Sequence, residues 1–532
     1  MVYAPPHSCA CYIEAKLNGF CALAPELTTR QYPMEASDDE RLEKGPAYGK
    51  IENQKSENSS DWPTYRHDST RSGFTESAVP TKLKPSWETN LGGKLSSMVV
   101  AGNMAFVASV DTHTVYALDA DSGKTLWSYT AGGRVDSPPT IYQGSVLFGS
   151  ADGWVYCLRA SDGRMAWRFR AAPEERRVIS FEQLESVWPV HGSVLIQNDV
   201  LSCVAGRSMF LDGGMRLLQL DPKTGQKISE TILDDRDPET GDNLQAKVKG
   251  LNMPVALPDI LSSDGRYVYM RSQQFDLQGK RGDIGPMKVT EQTGEGVHLF
   301  AGIGFVDDSW FHRSYWQFGK SVASGWGGWF RAGRFVPSGR ILVFDKSSVY
   351  GYGRRPEYLA QSSVLEYHLF AADKNTTAES IQRVLAGNRR MNATSKKNNV
   401  HAADWKERKN FPMEDRSATS FNWWRGSPPL QVWAMVLADK TLFIAGPPDV
   451  VDEEEAFILS GDAGIWTKLK EQRDALEGGK GALLWAVSTA DGKKLAGYNL
   501  DSVPVFDGMV ASNGRLYLSM KDGKVLCFAG SE

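Results

Sequence analysis

The sequence predicts an all-β protein, a β-propeller of eight four-stranded blades, on three observations. A strand–turn–strand unit recurs: VYALDADSGKTLWSYTAG at residues 115–132 returns as VYCLRASDGRMAWRF, with Val155, Gly163 and Trp167 standing where Val115, Gly123 and Trp127 stood. Repetition at a fixed period is the signature of an array of like units. Composition agrees, because 51 Gly, 16 Trp, 18 Tyr and 22 Phe suit short aromatic-rich strands joined by glycine turns. Finally, the two ends of the repeat region are incomplete in complementary ways. The run around Trp87 (PSWET) resembles a return strand that lacks its hairpin, and residues 503–529 supply three strands without a fourth. A strand donated by the N-terminal side would complete the last sheet and close the array, leaving no open edge.

Taken in order, residues 1–33 read as a piece of an N-terminal module, with residues 19–24 resembling a repeat strand. A chain that opens in mid-pattern points to an upstream domain or to a start other than Met1. Residues 34–60 are polar and charged and read as a flexible linker. Ordered structure restarts at Asp61, and the propeller is expected over 61–532. In the second repeat the strands are expected at Pro138 to Ile141, Ser145 to Ser150, Trp154 to Ala160 and Arg164 to Arg170. A third copy ends on Gly225 without a Trp, and a late copy turns at Gly492. Further strand pairs are expected at 266–271, 297–305, 334–352 and 432–445. Two insertions interrupt the pattern, at 374–429 and 449–481, with helices expected at 378–386 and 464–476.

A net charge of −4 gives no general electrostatic attraction for nucleic acid, and no apolar run has the roughly 20 residues of a membrane span. A secretory leader is not recognisable in the sequence as it stands. The six cysteines are too scattered for a disulfide scaffold, and Cys9-Ala10-Cys11 with His7 suits a thiol pair or disulfide better than a zinc clip.

The repeat A-x-D-x-x-[ST]-G-x-x-x-W, matched in full by Ala117, Asp119, Ser122, Gly123 and Trp127, resembles that of the quinoprotein (PQQ-binding-like) β-propellers. Gly163 and Trp167 match again, while Cys157 and Arg159 depart. The resemblance implies that Trp87, Trp127 and Trp167 pack between sheets with Gly123, Gly163 and Gly225 at the turns, and that closure uses an N-terminal outer strand. It implies a bacterial, periplasmic or other extracytoplasmic setting. It does not decide function, because the family holds both quinone-dependent dehydrogenases and non-enzymatic propellers such as the outer-membrane assembly lipoprotein. An enzyme of this family would need pyrroloquinoline quinone with calcium, and in the alcohol dehydrogenases an adjacent cysteine pair. This chain has no adjacent pair, and no calcium or base residue of the family can be assigned to it.

The expectation is therefore a monomeric, non-catalytic binding or scaffold propeller, with a protein partner or a carbohydrate-like ligand on its loop face. The alternative is a divergent dehydrogenase oxidising alcohols or sugars. Two stretches are candidate ligand sites. Residues 307–316 gather Asp307, Asp308, Trp310, His312, Arg313 and Trp316, which could form an aromatic floor with polar contacts, although aromatic packing between sheets with local charge pairing is the favoured reading. Residues 206–214 offer Arg207 and Asp212 among glycines, and also read as a long turn between strands. The acidic runs at 234–242 and 449–455 read as a solvated turn and as the opening of a helix. The basic run 383–409 with Trp405 reads as a solvated loop.

Overall fold

The computed structural model describes residues 2–4, 21–23, 37–52, 59–237, 239–243, 258–271, 273–282, 296–301, 304–308, 315–319, 333–359, 364, 366–394 and 408–531. Among them, eight antiparallel sheets of three or more strands follow one another: 95–130, 140–170, 195–233, 262–275, 299–339, 341–426, 434–500 and 504–530. The chain falls into two compact units, residues 1–70, 91–284 and 304–306, and residues 71–90, 285–303 and 307–532, each with four of these sheets. The second repeat has its strands at Thr140–Tyr142, Ser145–Gly149, Trp154–Arg159 and Met165–Arg170, as the periodicity predicts.

The repeat motif works through its turn. Asp119 Oδ1 accepts from the Ser122 N–H (2.8 Å) and hydroxyl (2.6 Å), and Gly123 takes a left-handed φ of 71° that L side chains avoid. The absent side chain has a second use one sheet further on. A Cβ on Gly163 would stand 2.6 Å from the Trp127 ring, and one on Gly225 would stand 2.6 Å from Trp167. Each tryptophan thus lies on the turn glycine of the following sheet, and Trp127 Nε1 also donates to the Ala160 carbonyl at 2.8 Å. The second unit repeats the device with Trp423, which packs on Gly492 and donates to the Thr489 carbonyl at 2.6 Å.

Strand Leu83–Asn90 pairs antiparallel with Lys524–Gly530, placing Trp87 opposite Cys527, so the N-terminal side of the chain supplies the fourth strand of the 504–530 sheet. The lead-in before it makes further backbone bonds. In the first unit Trp62 bridges Val100, the Pro63 carbonyl accepts from Ile141 and the Ser69 carbonyl from Ser263. In the second unit the carbonyls of Ser72 and Gly73 accept from Phe344 and Leu437, and Phe74–Thr75 runs parallel to 437–438.

Residues 37–52 are not a flexible linker. A short helix, α1 (Asp38–Arg41), is followed by strand Leu42–Lys44, which pairs with Met165–Arg170 as a fifth strand. Arg41 is buried, donating to the Arg170 carbonyl at 2.8 Å and pairing with Glu230 at 2.8 Å above the Phe169 ring. Burial opposes ionisation of Glu230, yet Arg41, Arg216 and Lys227 hold its pKa down to about 2. The segment reads as polar because its few apolar residues, Leu42, Ala47, Tyr48 and Ile51, pack against the core without a period, while ion pairs and backbone pairing supply the rest of the docking.

The 374–429 insertion carries α2 (Ala378–Thr394), longer than expected, and α3 (Met413–Arg416). The 449–481 insertion carries α4 (Glu453–Ile458) and α5 (Ala463–Glu477). Asp452 caps α4 by accepting from the Glu455 N–H at 2.8 Å, so this acidic run opens a helix. The acidic turn 234–242 is held by its own bonds, Asp237 Oδ1 accepting from the Glu239 and Thr240 amides.

Candidate functional site

The entries to the first strands of three consecutive sheets of the first unit carry Asp136, His191 and Asp259. Asp136 precedes strand Thr140–Tyr142, His191 precedes Leu195–Gln197, and Asp259 precedes Ser262–Ser263. His191 Nδ1 lies 2.6 Å from Asp136 Oδ2, whose other oxygen accepts from the Gly192 amide at 2.9 Å and the Ser137 hydroxyl at 2.8 Å. Asp259 Oδ1 accepts from the Ile260 and Phe305 amides, with Arg271 Nε 3.8 Å from its second oxygen. Burial alone would lower the His191 pKa, but Asp136, Asp259 and a hydrogen bond to the Pro258 carbonyl carry it up to about 9. Asp136 is held well below the usual carboxylate range: burial raises it, and His191 more than offsets that. The charged form of His191 is thereby favoured, and its contact with Asp136 braces one strand entry against the next. Sequence reasoning missed this cluster. Its only signal is position, since each member stands just before the first strand of consecutive sheets.

Of the expected site residues, Arg207 and Asp212 lie in the turn between Val200–Ala205 and Met215–Leu220. Arg207 Nη2 pairs with Glu185 at 3.2 Å, Glu185 also receives Arg134, and Asp212 pairs with Arg176. Burial pushes the Glu185 pKa up in spite of Arg134 and Arg207. Glu185 belongs to a hairpin of Arg177–Ser180 and Gln183–Ser186, in which Val178 faces Glu185 and Ile179 faces Leu184. Val178 packs inward against the core, so the alternation of a strand turns Ile179 and Leu184 to water, where they are 66% and 55% exposed. Phe181 at the tip is 58% exposed under the Arg134 guanidinium, 4.1 Å away.

The other expected stretch lies in the second unit. Trp316 is buried in a strand, paired with Ala301 and edge-on to Phe506 at 5.7 Å, so its ring serves packing rather than forming an open stacking floor. Arg340 stacks on Phe506 at 4.3 Å and reaches the Asp307 carbonyl at 3.5 Å; Asp307 is half-buried and Asp308 exposed. Trp310, His312 and Arg313 lie outside the described residues, as do Cys9, Cys11 and Trp405.

No three His, Cys, Asp or Glu side chains converge to hold a metal among the described residues. Cys157, Cys203 and Cys527 are buried thiols, and burial pushes the first two up to about 12.

Residues 77–284 match the family model described as outer membrane protein assembly factor BamB. The BamB of Burkholderia pseudomallei is 36% identical over 95 residues, 17% of this chain and 24% of that protein. The matched region is similar to the PQQ-like β-propeller family. A second member, the quinoprotein ethanol dehydrogenase of Pseudomonas aeruginosa, is 26% identical over 169 residues, 28% of this chain and 25% of that protein. The aligned stretches thus span about a quarter of the length of these curated relatives. The crystal structure of quinohemoprotein alcohol dehydrogenase from Comamonas testosteroni superposes with a TM-score of 0.50 over 89% of this chain and 81% of its own, at 12% identity. At that identity the likeness shows the propeller fold alone. The relatives include both an assembly factor and a dehydrogenase, so the similarity leaves the activity open. No helix among the described residues is long and apolar enough to cross a membrane.

Proposed function

We propose that this PQQ-like propeller is a non-catalytic binding protein that holds a protein partner on the loop side of its first unit. One observation carries the reading: Ile179 and Leu184 face each other across a two-stranded hairpin with most of their surface in water. An apolar cross-strand pair left in water contributes little to folding, and with a charged rim it marks a surface that another molecule covers. The rim is the Arg134–Glu185–Arg207 and Arg176–Asp212 pairs. A protein fits better than a carbohydrate-like ligand, because the exposed surface is largely aliphatic, at Ile179 and Leu184, and Arg134 occupies one face of the tip ring, Phe181. The hairpin lies within the segment that matches the BamB family model, whose description is that of an assembly factor. His191, engaged at Nδ1 by Asp136, supports a bracing role at the strand entries.

The dehydrogenase alternative is tested by dialysing the full chain against pyrroloquinoline quinone and Ca²⁺ and following dye reduction with alcohols and sugars. The expected outcome is no turnover above a heat-denatured control. Saturable, cofactor-dependent turnover would overturn the reading.

A further inference from the structure

Strand Leu42–Lys44 lies along the outer edge of the 140–170 sheet, with Leu42, Glu43 and Lys44 opposite Phe169, Arg168 and Trp167. The outermost strands of the preceding and following sheets, Thr125–Thr130 and Lys227–Leu233, carry no such addition among the described residues, so a sheet of this kind is complete with four strands. The added segment is nonetheless closely fitted. Arg41 is buried and reaches the Arg170 and Ala171 carbonyls at 2.8 and 3.1 Å and Glu230 at 2.8 Å. Leu42 sits on the joint between Trp167 and Gly225, its Cδ1 2.8 Å from where a Cβ on Gly225 would stand. Glu43 accepts from Arg168 Nε at 2.7 Å. Gly45 donates its amide to the Ala166 carbonyl at 2.7 Å, and a Cβ on it would stand 2.3 Å from the Met165 carbonyl oxygen, so only glycine fits there.

These are the contacts of a bound extended peptide, main-chain pairing along a sheet edge with places that read individual side chains. The site also keeps its form when the segment leaves. Glu230 retains Arg216 at 2.8 Å and Lys227 at 3.0 Å without Arg41, so no buried carboxylate is stranded. Trp167 retains its seat on Gly225. The apolar hold on the segment lies further along, at buried Ala47 with Tyr48 and Ile51, which tether residues 38–45 if these open. We propose that the outer edge of Met165–Arg170 is a strand-addition site for an extended peptide of the pattern arginine, aliphatic, acid, any residue, glycine, and that the chain's own residues 41–45 occupy it as an exchangeable strap. A partner protein presenting that pattern displaces the strap, and its apparent affinity is reduced by the fraction of molecules in which the strap is closed. The site is separate from the hairpin at 177–186 and stands whether or not that hairpin binds a protein.

The test is fluorescence polarisation of a labelled synthetic peptide of residues 37–46 titrated with the full chain. The double variant Arg41→Ala, Leu42→Ala opens the strap and leaves the edge itself unaltered. The opened chain should bind the peptide saturably, about tenfold or more tighter than wild type does. Arg41→Ala within the peptide, or Glu230→Gln added to the opened chain, should weaken that binding about tenfold. No saturable binding to the opened chain, equal binding to wild type and opened chain, or binding indifferent to the peptide's arginine overturns the site. If the opened chain fails to fold, hydrogen exchange of wild type decides the matter. The amides of residues 42–45 should exchange about tenfold or more faster than those of Trp154–Arg159 in the same sheet. Equal protection would make residues 42–44 a permanent fifth strand and overturn the exchange.

Discussion

Trp167 and Ile179 stand twelve positions apart in the first unit and occupy opposite environments. Trp167 is fully buried on Gly225, whereas Ile179 is 66% exposed on the hairpin that follows. Burial on a glycine turn joins one sheet to the next, a structural role independent of any ligand. Exposure on a hairpin joins nothing within the described residues. The wall of the propeller and its candidate binding surface are thus written in the same residue types and separated only by burial, so they should respond differently to substitution.

The largest effect is expected at the wall. Trp167→Ala should destabilise by about 3–5 kcal/mol in urea unfolding, as large truncations in a packed core do; a change near zero would mean that the tryptophan–glycine contact does not hold the sheets. Trp87→Ala should cost less, about 2 kcal/mol, because Trp87 is only half-buried beside Tyr517 and its strand is also held by the pairing to Lys524–Gly530. A loss under about 0.5 kcal/mol would show that the backbone alone fixes that strand.

A smaller, pH-dependent effect belongs to the brace at the strand entries. His191 has its pKa raised from 6.5 to about 9, so its contribution is fully present below pH 6.5 and is lost as pH rises through 9. Stability should fall by about 1–2 kcal/mol between pH 6.5 and 9.5 in wild type, the side chain's partial exposure reducing the full linkage value, and that slope should be missing in His191→Gln. Equal slopes in both proteins would remove His191 from the account.

The sequence shows the wall far better than the surface. The turn chemistry of Asp119 and Gly123 and the spacing to Trp127 are local, so they survive as a readable pattern. Trp423 escaped because its strand, Phe421–Gly426, falls within the stretch 374–429 expected as an insertion, whereas it completes the 341–426 sheet after α2 and α3. Residues 37–52 escaped because their anchor, Arg41, is a charged residue whose burial depends on Glu230, 189 positions away. Asp136, His191 and Asp259 converge only once three sheets stand side by side, a long-range fact with no local signature. Trp316 shows the converse: a dense aromatic run suggested a ligand floor, and the fold uses that ring for packing against Phe506.

The most direct test of a binding role is site-specific photo-crosslinking from position 179 in cells, compared with position 126 on the outer strand, where Leu126 is similarly exposed at 50%. The account predicts a discrete protein adduct from position 179 that disappears in Leu184→Asp, and none of that size from position 126. No adduct at 179, or the same adducts from both positions, would contradict it.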